Sequence, residues 1–146
     1  MVNHKLAIVI PYRDKRYHLD IFLPHMVDFL KNKDINYDIF VLEQTDDKPF
    51  NYGKLCNCAF TLLKDEYDYF CFHDVDMLPV NDSCDYSYHN TPIHLSTRAS
   101  AHNDRLPYLQ YFGGVNIFPK EDFETINGYS NEYYGWGIED IDLLYR

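Results

Sequence analysis

The sequence contains no apolar run long enough to cross a membrane. A transmembrane helix needs about 20 consecutive, mostly apolar residues, whereas the apolar segments of this chain, such as residues 6–10 and 39–42, are far shorter. The first residues lead directly into one of these segments and lack the pattern of a signal peptide. We therefore expect no membrane span in this chain and a cytoplasmic location for the chain as it stands.

Positive charge is scarce. The chain has 13 Lys and Arg against 23 Asp and Glu, which gives a formal net charge of −10. A protein that binds a nucleic-acid backbone or an anionic membrane needs the opposite balance. We therefore expect no nucleic-acid partner. A nucleotide that binds through a divalent cation is compatible with this negative net charge, because the cation supplies positive charge locally.

Cysteine is also sparse and its spacing does not form the paired pattern of a zinc site. Cys56 and Cys58 lie in a helical pattern, where side chains two residues apart diverge, so we expect both to be thiols. Cys71 and Cys84 could form a disulfide only in an oxidising compartment, and the sequence leaves their redox state open.

The first half of the chain alternates strand and helix patterns. Residues 6–10 form a β-branched run, which predicts a strand buried on both faces. Apolar residues at helical spacing follow over 19–30, then a strand at 39–42, a helix at 53–66 and a strand at 69–72. This order predicts an α/β domain with a mostly parallel sheet flanked by helices.

The second half has a looser pattern. We expect a short strand at 93–96, a strand over 108–118 interrupted at Gly113 and Gly114, and a short helix at 121–126. The chain then stops within an acidic, helix-like segment, and we expect a domain that is truncated at its C-terminus. The length of 146 residues predicts a single domain, with a nucleotide-binding half at about 1–80 and a donor- and acceptor-binding half at about 81–146.

Two carboxylates follow the strand at 69–72. If that strand is buried, its end brings Asp74 and Asp76 to the sheet edge where open α/β folds bind ligands. Hard oxygen donors there suit Mn²⁺ or Mg²⁺, and such a cation would hold the diphosphate of a nucleotide. The alternative is a surface turn with two solvated acids, because so short a pattern is common.

Five motifs, in order along the chain, extend this interpretation. They are PYRD at 11–14, FNYGKLCN at 50–57, DVD at 74–76, YLQYFGGV at 108–115, and NGY at 127–129 followed by YGWGIEDID at 134–142. In this order they resemble the motifs of the β-1,4-galactosyltransferase family. The resemblance implies a GT-A fold and the transfer of galactose from UDP-galactose, with inversion, to a sugar hydroxyl of a glycan acceptor. It also implies the Golgi lumen as the location if the chain is a fragment of a longer transferase.

The resemblance also assigns roles to residues. Asp76 would bind Mn²⁺, with Mg²⁺ as an alternative, and Asp140 would be the general base. Trp136 would close over donor and acceptor from a mobile loop, and Glu139 and Asp140 would contact the acceptor. The residues implied to bind the donor are Pro11, Arg13, Phe50, Asn51, Lys54, Asp74, Val75, Tyr111, Gly114 and Trp136.

The chain departs from the family pattern at three points. Ile141 stands where the family has a second aspartate that contacts the acceptor, and Tyr52 replaces an arginine. The family takes further metal ligands, including a histidine, from beyond the position of Arg146, and His94 is the alternative within this chain. Two other functions therefore stay open: transfer from UDP-N-acetylgalactosamine or UDP-glucose, and non-catalytic binding of a nucleotide sugar or glycan.

On sequence pattern alone, a purely structural role stays open for several of these residues. Trp136 could be a core residue, and Tyr111 could be an ordinary strand aromatic. Glu139, Asp140 and Asp142 could be only the acidic first turn of a helix, stabilised by its dipole.

Overall fold

The computed structural model describes residues 4–146 and contains one five-stranded sheet. Its strands lie in the spatial order β2-β1-β3-β5-β4. Their bounds are Lys5–Tyr12 for β1, Asn36–Glu43 for β2, Tyr69–His73 for β3, Ile93–His94 for β4 and Val115–Pro119 for β5.

The N-terminal half of the sheet is parallel, as the alternating pattern predicts. β1 pairs in parallel with β2 on one side and with β3 on the other. Helices α1 (Arg16–Leu30) and α2 (Tyr52–Leu63) form the two connections. Pro24 lies inside α1, which begins before it. The predicted strand and helix pattern of this half is therefore confirmed, although the strands are longer than expected.

The C-terminal half of the sheet is antiparallel, so the sheet as a whole is mixed. β5 runs antiparallel to β3, and the short strand β4 runs antiparallel to β5. The strand expected over 108–118 begins only at Val115, because Gly114 has a φ of 89° that extended backbone does not adopt. A 3-10 helix (Ser100–His102) and the helices α3 (Lys120–Thr125) and α4 (Glu139–Leu144) complete the described elements. Within residues 4–146, no helix combines the length and the apolarity that a membrane crossing requires.

The two faces of β1 belong to two separate cores, because side chains alternate along a strand. Leu6, Ile8 and Ile10 face α1 and pack with its buried residues Phe22, Met26 and Leu30. Ala7 and Val9 face the other side and pack with Cys56 and Ala59 of α2 and with a set of aromatic rings. Burial of a large apolar side chain stabilises a fold by about 1.5–3 kcal/mol. These two layers hold the strand ends in a fixed relationship.

The cysteines are thiols in this fold. Cys56 is buried beneath α2, and Cys58 is exposed on the same helix. Cys71 is buried in β3 and Cys84 is half-buried in the same core cluster, and both are free. Burial in apolar surroundings raises the pKa of the Cys71 thiol well above its ordinary value, which makes this thiol unreactive.

Candidate active site

A cavity of about 570 Å³ opens where β1 and β3 end. The start of α2 forms one wall, and the segment that leads into α4 forms another. The residues that line it are Pro11, Arg13, Lys15, Pro49, Phe50, Tyr52, Asp74, Val75, Asp76, Gly135, Trp136, Glu139 and Asp140. The structure thus brings together most of the residues that the sequence motifs single out.

The two carboxylates of the DVD motif lie in different environments. β3 ends at His73, and the backbone N–H of Asp74 donates to the carbonyl of Gly114 at 2.8 Å, which fixes the turn. Burial, followed by the nearby charge of Asp76, raises the pKa of Asp74 to about 7. Asp76 is exposed, and its Oδ2 forms an ion pair with Lys15 Nζ at 2.9 Å. Of the two carboxylates, that of Asp76 is therefore the one open to solvent.

The donor set fits a hard divalent cation that takes only part of its ligands from protein. Asp76 offers oxygen atoms, which Mn²⁺ and Mg²⁺ accept. Within the described part of the chain, no group of three or more His, Cys, Asp or Glu side chains could hold a metal ion. His94, the alternative ligand, has its Nε2 within 2.8 Å of the Gly113 carbonyl oxygen. A cation bound here would complete its shell with oxygens of a diphosphate and of water.

Asp140 is a half-buried carboxylate at the start of α4. Burial, followed by the charges of Glu139 and Asp74, raises the pKa of Asp140 to about 8. Its Oδ2 lies against Gly113, where a β-carbon would be 2.9 Å away. Glu139 is buried, and burial raises its pKa as well. Glu139, Asp140 and Asp142 all lie in the first turn of α4, and Asp142 forms an ion pair with Arg146 at 2.7 Å.

Trp136 stands at the mouth of the cavity and is fully exposed. The alternative of a core tryptophan is therefore wrong. Its neighbours Gly135 and Gly137 have φ values of 86° and 95°, a region that strongly favours glycine. A β-carbon on either glycine would meet nothing within 4 Å. The N–H of Gly135 donates to the carbonyl of Phe50 at 2.7 Å, which joins this segment to the wall of the cavity.

An aromatic ring and a guanidinium group line the same cavity as the carboxylates. The Arg13 guanidinium carbon lies 5.5 Å from the centre of the Phe50 ring. One guanidinium N–H donates to the carbonyl of Lys48 at 2.6 Å. The flat ring and the fixed charge together form a surface suited to a planar base and an anion.

Asn51 and Lys54, expected among the donor-binding residues, do not line this cavity. Asn51 is buried and caps α2, because its Oδ1 accepts from the N–H of Lys54 at 2.9 Å. Lys54 is exposed one turn along the helix and lines a separate depression on the outer face of α2. Both residues therefore lie outside the lining of this cavity, and their roles in donor binding stay predictions.

Tyr111 and Gly114 lie behind the cavity wall. Burial, followed by the charges of Asp74 and Asp140, raises the pKa of Tyr111 to about 12. A β-carbon on Gly113 would lie 3.1 Å from the Tyr111 ring and 2.9 Å from Oδ2 of Asp140, so the ring and this carboxylate lie on either side of one glycine. The carbonyl of Gly114 accepts from Asp74, and a β-carbon on this glycine would clash with Ser96. Gly114 thus shapes the turn that carries Asp74.

Sequence reasoning did not place Lys15, Pro49 or Tyr52 at the cavity. Lys15 was not singled out, because a lysine in a polar turn is common. Tyr52 was noted only as the loss of an arginine, yet it lines the same cavity as Asp74, and its hydroxyl lowers the pKa of that carboxyl. Its ring packs edge-on against Tyr129 with centroids 5.7 Å apart.

Two family models match the chain. Residues 1–89 match the N-terminal region of glycosyl transferase group 7, and residues 93–146 match a model described as the N-terminal domain of galactosyltransferase. Among curated proteins, β-1,4-galactosyltransferase 1 of Homo sapiens is 42% identical over 145 residues, and β-1,4-galactosyltransferase 7 of Drosophila melanogaster is 39% identical over 145 residues. Each match covers 98% of this chain but only 36% and 44% of those proteins, respectively.

Solved structures also match nearly the whole of this chain. A mutant of Drosophila β-1,4-galactosyltransferase 7 in complex with manganese, UDP-Gal and xylobiose superimposes with a TM-score of 0.90 at 38% identity. The catalytic domain of the same enzyme in complex with xylobiose gives 0.89 at 39% identity. Both matches cover 97% of this chain and 60% of the solved chain. The fold is therefore that of a galactosyltransferase catalytic domain, over part of its length.

Proposed function

Since the chain belongs to glycosyltransferase group 7, we propose that it transfers galactose from UDP-galactose, with inversion, to a hydroxyl group of a glycan acceptor. The observation that carries this proposal is the half-buried Asp140, with its raised pKa, at a cavity that also contains Asp74 and Asp76. A group that can accept a proton near neutral pH thus faces a corner suited to a cation and a diphosphate. The manganese, UDP-Gal and xylobiose bound by a similar Drosophila enzyme support the choice of substrates.

The donor binds in this proposal across the wall formed by β1 and α2. Phe50 and Pro11 contact the uracil and ribose, and Arg13 pairs with the diphosphate. Asp74 and Val75 lie beside the galactose, and Asp74 accepts hydrogen bonds from its hydroxyls. The aromatic Tyr111 behind them limits the space around the sugar and favours galactose over an N-acetylated sugar.

Asp76 would hold Mn²⁺, or Mg²⁺ in its place. When bound, the cation neutralises charge that develops on the leaving diphosphate. Lys15, which pairs with Asp76 in this structure, stands next to the same corner and would be released to the diphosphate. The cation and Lys15 would therefore both neutralise charge on the leaving diphosphate.

Asp140 acts as the general base. Inversion requires a base on the face of the sugar opposite the leaving group, close enough to accept the proton of the acceptor hydroxyl as the new bond forms. A pKa of about 8 suits this task, because a base works best when its pKa is near the working pH. The adjacent Glu139 binds another hydroxyl of the acceptor and thereby fixes the acceptor's orientation.

Trp136 closes over the donor and the acceptor. Its full exposure and the open space around Gly135 and Gly137 support a segment that can change conformation. Closure would exclude water, which favours transfer to the acceptor over hydrolysis of the donor. In this division of labour, residues at about 1–80 hold the nucleotide, and residues at about 81–146 complete the donor and acceptor sites.

The partners of the proposed reaction are a UDP-sugar and a glycan, and not a nucleic acid, which the net charge of −10 disfavours. The chain spans about 36–44% of the length of the curated relatives named above. If it is a piece of a longer transferase, we place the reaction in the Golgi lumen.

The variant Asp140→Asn tests the proposal. It keeps the size of the side chain but cannot accept the acceptor proton. We expect galactose transfer to a xyloside or N-acetylglucosaminide acceptor to fall by at least about 100-fold, while calorimetry shows unchanged UDP binding. Retained transfer would remove Asp140 from the base role. Absence of transfer in the wild-type chain together with UDP binding would favour a non-catalytic domain.

A further inference from the structure

A short segment ahead of Trp136 is tied to helix α2 by one asparagine side chain. The Oδ1 atom of Asn57 accepts from the N–H of Tyr129 at 3.0 Å, and its Nδ2 donates to the carbonyl of Tyr129 at 2.8 Å. The same Nδ2 donates to Oδ1 of Asn131 at 2.9 Å. One side chain thus bonds both backbone groups of a residue more than 70 positions away, which fixes position and orientation together.

A second asparagine extends this contact toward the cavity. Nδ2 of Asn51 donates to the carbonyl of Asn131 at 2.7 Å, while its Oδ1 caps α2. Between the two asparagines, Gly53 lets the helix approach closely, because a β-carbon there would be 2.8 Å from the carbonyl oxygen of Ser130. We call the contact of Asn51, Gly53 and Asn57 with residues 128–131 the α2 clamp.

The clamp ends where the exposed segment begins. Asn131 is its last residue, and five positions further along the chain Trp136 is fully exposed. Beyond Trp136, the chain enters α4, which carries Glu139 and Asp140 into the cavity. Together with the hydrogen bond from Gly135 to Phe50, residues 128–131 therefore anchor the segment that carries Trp136, Glu139 and Asp140.

We propose that Asn57 is a positioning residue for the transfer reaction: through the α2 clamp it fixes the point from which Trp136 and Asp140 are placed against the donor site. This inference rests on the proposed function, in which Trp136 closes the site and Asp140 accepts the proton. A displacement of about 1 Å in a reacting group can cost about 100-fold in rate. Asn57 touches neither substrate, so its effect passes through the segment it holds.

The sequence offers a specific reporter, because Trp136 is its only tryptophan. Fluorescence anisotropy of the ligand-free protein therefore measures the motion of this one segment. The test variant is Asn57→Ala. The control is Cys58→Ala, the next position on α2, whose free side chain is exposed. Asn131→Ala is a milder variant. Asn131 is exposed, and its substitution removes the hydrogen bond between its side chain and Asn57.

We expect Trp136 anisotropy to fall in Asn57→Ala and, to a smaller extent, in Asn131→Ala, and to stay at the wild-type value in Cys58→Ala. Circular dichroism at the same temperature confirms that each variant is folded. If Asn57→Ala is not folded, Asn131→Ala decides the question. Anisotropy that is unchanged in the folded variants would overturn the clamp.

Steady-state kinetics then test the link to the reaction. In Asn57→Ala we expect kcat to fall about 100-fold and KM for UDP-galactose to stay within about twofold, because the hydrogen bonds of the Asn57 side chain go to Tyr129 and Asn131 and not to donor-binding residues. A rise in KM with unchanged kcat would overturn the positioning role. Failure of the wild-type chain to transfer galactose would contradict the proposed function instead, and the anisotropy comparison would still test the clamp.

Discussion

Oδ2 of Asp140 lies against the α-carbon of Gly113, with room for a hydrogen but not for a methyl group. A β-carbon at Gly113 would be 2.9 Å from this oxygen and 3.1 Å from the Tyr111 ring. The glycine thus sets how far Asp140 enters the cavity, and the Tyr111 ring leaves little space on the other side. Asp140, the proposed base, and Tyr111, the proposed wall of the donor pocket, therefore both lie next to Gly113.

Gly113→Ala should therefore lower transfer without unfolding the chain. The added methyl group displaces Asp140 or Tyr111 by a few tenths of an ångström or more, and misplacement of a base on this scale lowers kcat by about 10- to 100-fold. Binding of UDP, which does not involve this contact, should be unchanged in calorimetry. A variant with wild-type kcat would mean that the position of Asp140 is not critical.

The pH dependence of the reaction follows from the raised pKa of Asp140. Burial raises this pKa to about 8, so the group is largely protonated in the free enzyme at pH 7. Only the ionised form can accept a proton. We expect kcat/KM to rise with pH, by about tenfold per unit well below the pKa, and to level off above it. A profile that falls between pH 6 and pH 8 would contradict a half-buried carboxylate base.

Tyr52→Phe tests the carboxylate of Asp74. The Tyr52 hydroxyl lowers the pKa of Asp74, so without it that pKa should rise and less carboxylate should be ionised at neutral pH. We expect a several-fold increase in KM for UDP-galactose, with the ring still packed on Tyr129.

A matched control for Tyr52→Phe lies outside the cavity. The hydroxyl of Tyr67 donates to Asp38 at 2.7 Å, so Tyr67→Phe removes the same type of bond elsewhere. This variant should leave KM unchanged. Equal effects of the two substitutions on KM would indicate a general loss of stability and not a role for Tyr52 in donor binding.

Much of the fold could be predicted because it depends on local patterns. The β-branched run of β1 and the apolar stripe of α1 each specify an element and a buried face. The antiparallel pairing of β5 could not be predicted in this way, because it depends on a distant partner strand. The start of β5 at Val115 likewise depends on the positive φ of Gly114, and a sequence shows a glycine but not its conformation.

The residues of the site likewise divide into those that local sequence patterns predict and those that depend on contacts distant in the sequence. The DVD motif follows a buried strand, so the sequence pattern of β3 predicts that the motif lies at the ligand-binding edge of the sheet. Asn51 and Lys54 occur in a motif that also reaches the cavity, but a motif does not say which side chains cap a helix and which face solvent. Tyr52 and Gly113 gain their roles only from residues distant in the sequence, Asp74 and Asp140, that the fold brings beside them.

Metal-dependent binding of the donor is the most direct test of the central claim. UDP-galactose affinity should be measured by calorimetry with and without Mn²⁺, for the wild-type chain and for Asp76→Asn. We expect Mn²⁺ to strengthen binding at least about tenfold in the wild type, a coupling of about 1.4 kcal/mol, and to have little effect in the variant. Equal affinity with and without Mn²⁺ in the wild type, or an unchanged Mn²⁺ effect in Asp76→Asn, would contradict a donor site built around Asp76.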